Sequence, residues 1–388
     1  KYIARRLESC VRTGDLVARL GGDEFVILLG ELAETGEALL VAERIQNDLK
    51  HSFDLGGGEI FITTSIGIAL STAGHEKADD MLRDADIAMY HAKAKGKAQY
   101  QVFDQAMRER AVMQLQFETE MRRALEHGEF CLHYQPIINL ETNNLVGFEA
   151  LVRWKHPTRG TIEPKEFIAT AEENRLILPL GKWILYESCR QLREWQNNNA
   201  LALALMVSVN LSCKQFLQFD LAEQVAAALR ATGLNPSCLK LEITESHIME
   251  NTEMAIAMLN HLRALGVEIS LDDFGTGYSS LSYLHRFPVD YLKIDRSFVN
   301  RMMESKENGE IVHTIIRLAQ NLKMKVIAEG VETAEQLARL NQLNCEYGQG
   351  YLFSKPLEPG GTETFINENL ENSSFLANPP IINLELNA

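Results

Sequence analysis

The chain is 388 residues long, 46% hydrophobic and 23% charged, with a formal net charge of −15. This is globular composition with ample material for a core, which excludes a disordered or collagen-like chain. The acidic excess argues against a nucleic-acid polymer as partner, because such binding rests on Lys and Arg neutralising phosphates. A phosphate-bearing ligand fits only if a cation stands between it and the carboxylates.

The length sets an expectation of two domains. Residues 1–103 open with a helical stretch, followed by the apolar run Phe25–Leu29, an amphipathic helix near 34–50, the strand-like run Ile60–Leu70 and a helix from about Asp79 to Lys95. Gly56-Gly57-Gly58 reads as a turn and not as a phosphate loop, since no helix follows it. Residues 104–127 are rich in helix formers, contain no Gly or Pro and stop at Gly128, which predicts a connecting helix. From 128 to 371 short apolar runs give way repeatedly to helical stretches. The runs are Cys131–Leu140, Leu145–Trp154, Leu203–Leu211, Leu239–Thr244, Val267–Leu271, Tyr291–Ile294, Lys325–Ala328 and Gly350–Phe353. Helical stretches fall near 164–196, 220–232, 251–265, 297–322 and 333–343.

This alternation predicts an α/β fold of parallel strands with crossover helices, and eight strands in this length is the size of a (β/α)8 TIM-type barrel. An open doubly wound sheet fits the same periodicity. Only a short loop separates the first two runs, so the first strand is expected to be antiparallel to the second. Residues 372–388 read as a loose tail. No apolar run reaches the ~18 residues that span a bilayer, so no membrane contact is expected from this segment. The six cysteines are scattered without a C-x-x-C pair, which suits free thiols in a cytoplasmic protein. The chain begins at Lys1 inside an expected helix and reads as part of something longer, whose upstream portion is free to carry a sensor or a membrane anchor.

The strand-like runs end in polar residues: Glu149 in FEALVRW, Asn210 in VSVNLS, Glu242 in LEITES, Asp272-Asp273 in SLDDFG, Lys293 in YLKID, Glu329 in VIAEGVE and Gln349 in YGQGY. In a barrel these ends converge on one mouth. Three Glu and two Asp gathered there repel unless cations hold them, and carboxylate and amide oxygens are what Mg²⁺ or Mn²⁺ prefer. One carboxylate of the Asp272-Asp273 pair can bridge two ions, the arrangement of two-metal phosphodiester hydrolysis. Taken singly, each residue has a plainer reading. Glu149 is a salt-bridge partner, Asp272-Asp273 a turn or helix cap, Asn210 an N-cap and Lys293 a solvated lysine. Asp273-Phe274-Gly275 spells a kinase triplet, but no HRD loop or V-A-I-K strand accompanies it. Recurrence at successive strand ends is what favours the catalytic reading.

On these motifs residues 128–371 resemble an EAL-type cyclic di-GMP phosphodiesterase, with Glu149-Ala150-Leu151 as the naming triplet. The resemblance implies hydrolysis of cyclic di-GMP to linear pGpG with two Mg²⁺ or Mn²⁺ ions, and a homodimer formed through this domain. It assigns Glu149, Asn210, Glu242 and Asp272 to one metal, and Asp272, Asp273 and Glu329 to the second. Lys293 is assigned to the attacking water, with a pKa depressed by the two cations. Gln349 and Glu332 are assigned to the water and metal shell, and Gln135 and Arg153 to the guanine and phosphate side of the substrate. Residues 272–280 match a mobile loop that couples ligand binding to dimerisation, with Glu245 as anchor.

In the first segment, Arg19-Leu20 leads into Gly21-Gly22-Asp23-Glu24-Phe25. A Gly-Gly turn lets backbone approach a phosphate, and an acidic pair beside it suits a metal; alone, it is equally a hairpin tip. With SIGIAL at 65–70 and DADIAMYHAKAKGK at 84–97 it resembles a partial GGDEF-type diguanylate cyclase domain, for which GTP is the implied nucleotide. Arg12 and Asp15 match that family's inhibitory site, although a helix-end ion pair reads the same way. The family's first metal-binding Asp and its guanine-reading Asn and Asp lie upstream of this motif, outside the chain. The Arg-Asn expected after Gly96 is Lys97-Ala98. Two rival functions remain at this level: a non-catalytic cyclic di-GMP receptor, and a bifunctional cyclase and phosphodiesterase in a longer protein.

Overall fold

The structure is a computed structural model and describes residues 2–32, 34–54, 58–71, 77–275 and 284–371. The chain divides into two compact units, Lys1–Thr119 and Glu120–Ala388. The expected turn at Gly56-Gly57, most of the 272–280 loop and the 372–388 tail lie outside the described residues.

In the first unit, strands Leu16–Gly21 and Glu24–Leu28 form a hairpin, with Gly21 paired to Glu24. Gly22 at its tip has φ +50, a conformation that glycine adopts without strain. Ile66–Ile68 runs parallel to Tyr100–Val102, and helices Tyr2–Ser9, Thr35–Leu49 and Ala78–Ala94 complete a partial α/β unit. Its core gathers Leu7, Cys10, Ile45, Leu49 and Phe53, with Val17, Phe25 and Ile27 packed against them. The expected run Ile60–Leu70 is divided: Glu59–Ile60 pairs antiparallel with Phe53–Asp54, and only Ile66–Ile68 continues as strand.

The helix Gln105–His127 runs from the first unit into the second. The second unit is a closed barrel, which resolves the choice between barrel and open sheet. Its eight strands are Phe130–Asn139, Leu145–His156, Met206–Asn210, Leu239–Thr244, Glu268–Phe274, Tyr291–Ile294, Lys325–Ala328 and Tyr347–Gly348. The first is antiparallel to both neighbours, the rest pair in parallel, and Met206–Asn210 closes the ring against Leu145–His156. Inward apolar residues such as Ile137, Tyr291 and Ile327 fill the interior. Outside, Tyr134 and Phe148 pack on Trp195 of the helix Ile177–Asn198.

Two strand expectations shift. Leu203–Leu211 begins late, because the Asn199 side chain accepts from Leu201 N and winds Ala200–Ala204 into a 3₁₀ turn. The last strand is Tyr347–Gly348 and not Gly350–Phe353. Gly350 lies so close to the Val331 backbone that a Cβ would stand 2.1 Å from its carbonyl oxygen, and there the chain turns away from the ladder.

Candidate active site

Parallel registry carries the polar strand ends to one level: Glu149 lies opposite Ser208, Asn210 opposite Glu242, Thr244 opposite Asp272 and Lys293 opposite Ile327. Lys293 is buried at the centre. Its Nζ lies 2.5 Å from Glu329, 2.6 Å from Glu242 and 3.4 Å from both Glu149 and Asp272. Around this ammonium, Asn210 donates to Glu149 at 2.6 Å and Gln349 donates to the other Glu149 oxygen at 2.7 Å. Gln349 Nε2 also lies 3.0 Å from Gln135 Oε1, and Gln135 donates to the Ser354 carbonyl at 3.2 Å.

Adjacent residues of a strand point to opposite faces, yet Asp272, Asp273 and Glu329 bring carboxylate oxygens within 4.8 Å of one another. A register break between Leu271 and Phe274 and a left-handed Asp273, φ +53, account for this. The bulge turns the second aspartate toward the mouth, in a conformation that Asp tolerates better than most residues.

Burial disfavours every charge in this cluster. For Lys293 it is outweighed by Asp272, Glu149, Glu242 and Glu329, which hold the ammonium well above its ordinary range. The depressed pKa expected for Lys293 belongs to a site holding two cations; without them, four carboxylates face the ammonium and raise its pKa. Burial works against the Glu149 charge too, but Lys293 and the bonds from Gln349 and Asn210 hold its carboxyl below the usual range. Burial pushes Glu242 up to about 7, with Lys293 opposing and Glu149 and Asp272 adding to the rise. Burial likewise raises Glu329 well above normal, with Lys293 opposing.

One ammonium cannot balance this many acids. Like charges ~4 Å apart repel by about 4 kcal/mol at an effective dielectric of ~20. Glu242 Oε1 and Gln349 Oε1 are buried acceptors with no hydrogen-bond partner. A surplus of hard oxygens with unmet acceptors is what divalent cations satisfy, so the donor set fits such ions.

Not every expected residue joins the cluster. Glu332 is exposed, and its backbone N–H donates to Gln336 in the capping box of the helix Ala334–Gln342. Arg153 is buried near the mouth, 3.6 Å from Glu163. Glu245 is buried and accepts from Gly275 N at 3.1 Å, the part of its loop that is described. In the first unit Asp23 and Glu24 are exposed at the hairpin tip, while Phe25 faces the core. Asp15 accepts from Arg12 N and Gly30 N, both at 3.1 Å. The Arg12 guanidinium lies 3.7 Å from Asp15 and 3.6 Å from Glu37, and also donates to the Glu31 carbonyl. Asp295, two residues after Lys293, carries no motif signal of its own; its charge adds to burial and Asp272 in raising the Asp273 pKa.

The fold and site define a closed β/α barrel with acids gathered at one mouth, a donor set that suits divalent cations. The family model described as EAL domain matches residues 118–356, and the model described as diguanylate cyclase, GGDEF domain, matches residues 1–99. The chain belongs to the EAL domain family, with a GGDEF segment ahead of the barrel. It is 41% identical to the cyclic di-GMP phosphodiesterase NbdA of Pseudomonas aeruginosa, over 99% of this chain and 48% of that protein. The bifunctional diguanylate cyclase/cyclic di-GMP phosphodiesterase MucR of the same organism is also 41% identical, over 92% of this chain and 51% of its own length. The chain thus spans about half the length of these curated relatives. The solved structure of the PaMucR phosphodiesterase in complex with c-di-GMP superposes with a TM-score of 0.62 at 42% identity, covering 64% of this chain and 99% of that one.

Proposed function

We propose that this chain hydrolyses cyclic di-GMP to linear pGpG at the barrel mouth. The observation that carries the reading is the convergence of Glu149, Glu242, Asp272 and Glu329 on one buried point, in a barrel 42% identical to one bound to c-di-GMP. Glu149, Asn210, Glu242 and Asp272, with Asp273 and Glu329, would hold two divalent ions, Mg²⁺ or Mn²⁺. Such ions activate water and neutralise charge on the phosphoryl oxygens. Asn210 and Gln349 fix the rotamer of Glu149, so its oxygens are oriented before ligand arrives. Lys293, at the centre of these acids, orients the attacking water and opposes negative charge at the reacting phosphate. Gln135 and Arg153 hold the substrate from the first two strands.

The GGDEF segment serves as a regulatory or incomplete cyclase module, with Arg12 and Asp15 as its cyclic di-GMP site and GTP as the nucleotide of a complete site. A homodimer through the EAL domain and a cytoplasmic setting complete the proposal; the six free thiols suit that compartment. Among the described residues no helix is long and apolar enough to cross a membrane.

The test is the purified chain with cyclic di-GMP and Mg²⁺, product followed by chromatography. Formation of pGpG, abolished by EDTA and lowered by at least about a hundredfold in Glu149→Ala, is expected. Tight binding without turnover in the unmodified chain, metal present, would replace this reading with that of a receptor.

A further inference from the structure

Cys131, His133 and Gln135 alternate on one face of the first barrel strand, opposite Arg153, Leu151 and Glu149 of the second. Gln135 and Glu149 both contact Gln349, so this face is the one turned to the carboxylates. Lys155 continues it two residues beyond Arg153. The two strands therefore form a shelf rising from the site. At ~3.4 Å per residue, His133 stands about 7 Å, and Arg153 about 14 Å, above the level of Gln135 and Glu149.

The chain returns to this shelf after Gln349. Tyr134 N donates to Leu357 O at 2.7 Å and Leu357 N donates back at 2.9 Å, an antiparallel bridge that sets Glu358 opposite His133. Glu358 Oε1 accepts from Lys155 Nζ at 2.9 Å and lies 3.7 Å from His133 Nε2, a buried nitrogen without a hydrogen-bond partner. Burial, with Arg153 adding to it, lowers the His133 pKa, so the imidazole there is a neutral neighbour.

An ammonium beside a carboxylate reads one base edge in particular. Guanine presents the acceptor O6 next to the donors N1–H and N2–H₂, whereas adenine presents the N6–H₂ donor next to the N1 acceptor. Guanine sets O6 against Lys155 and its donors against Glu358. Adenine sets donor against donor and acceptor against acceptor. Resting on the cyclic dinucleotide reading above, we infer that Lys155 and Glu358 form a base-reading pair on this shelf and that Glu358 determines specificity for guanine over adenine. A site built on such bonds rejects a base that cannot make them. Here the two side chains are 51% and 60% exposed, so water weakens the effect.

The experiment measures binding of cyclic di-GMP and cyclic di-AMP to the full chain by calorimetry, alongside turnover with Mg²⁺. It uses Glu358→Ala, Glu358→Asp and Lys155→Met. Arg230→Ala serves as control, since it breaks an ion pair to Glu223 elsewhere on the surface. In Glu358→Ala the affinity ratio of guanine to adenine ligand falls by about tenfold or more; Glu358→Asp restores most of it, and Arg230→Ala leaves it unchanged. A ratio unchanged in Glu358→Ala, with cyclic di-GMP still bound, overturns the inference and leaves a surface ion pair. If the unmodified chain binds without turnover, the hydrolase reading fails while the base ratio still decides this one. If Glu358→Ala lowers the unfolding temperature, the Asp and Met variants carry the ratio.

Discussion

Lys293→Met replaces the central ammonium by an apolar side chain of similar length. Four carboxylates then face one another without it, their side chains between 0% and 19% exposed. Removing one partner of a buried ion pair costs about 3–5 kcal/mol, because the charges left behind are uncompensated. In a unit of this size each kcal/mol shifts the unfolding midpoint by roughly 2–4 °C, so in EDTA the barrel transition should fall by about 6–20 °C. Divalent ions act in the opposite direction. At a hundredfold excess over the dissociation constant they stabilise by about 2.7 kcal/mol, and in this variant they no longer compete with an ammonium for the same oxygens. The stabilisation by Mg²⁺ or Mn²⁺ should therefore be larger in Lys293→Met than in the unmodified chain, while hydrolysis stays lost in both buffers. Scanning calorimetry with and without metal reads both quantities. An equal loss of stability in EDTA and in Mg²⁺ would refute the claim that these acids demand cations.

Two further predictions concern other parts of the chain. Glu245→Ala strips the half-buried Gly275 N of its acceptor, at a cost of about 1 kcal/mol. Because Asp272 and Asp273 immediately precede that loop, turnover should fall more than substrate affinity, and unaltered turnover would count against an anchoring role. In the first unit Lys97 and Ala98 both hold left-handed backbone, φ +60 and +48, and Ala98 stands where the GGDEF pattern has Asn. Since that conformation strains alanine and not glycine, Ala98→Gly should raise the stability of this unit by about 0.5–1 kcal/mol. An unchanged or lowered unfolding midpoint would contradict it.

The barrel was legible because its grammar is local. Tyr291–Ile294 and Lys325–Ala328 are short apolar runs, each followed by a helical stretch, and both stand in the structure with the bounds read from the sequence. The seven parallel strands then send their carboxyl ends to one mouth, so residues as distant in sequence as Glu149 and Glu329 belong to one place. Elements set by tertiary contact were not legible. Leu16–Gly21 is a strand because it pairs with Glu24–Leu28 around Gly22, and its own alternation is weak. Pro359–Glu371 begins with Pro-Gly-Gly, poor helix formers apart from proline at the first position, yet it is a helix. Glu358 gave no motif signal; only the return of Leu357 to Tyr134 brings it to the shelf.

Asp272 and Asp273 show where spelling and geometry part. In an unbroken strand one of two adjacent aspartates points into the barrel and the other points out beneath the helices, where a bare carboxylate is costly. Two adjacent acids at a strand end are therefore a contradiction unless the strand is broken there. The register break before Phe274 and the left-handed Asp273 remove the contradiction by turning both acids to the mouth. Strain of this kind, about 1–3 kcal/mol for a residue outside its preferred region, persists only where surrounding structure enforces it. Here Asp272 Oδ1 accepts from Asp273 N at 2.9 Å and Glu245 holds Gly275 two residues on, so the bend is tied on both sides. Glu329 completes the acidic group from the other side of Lys293. A bulge tied on both sides in this way brings both carboxylates to the mouth, where the proposed ions would need them.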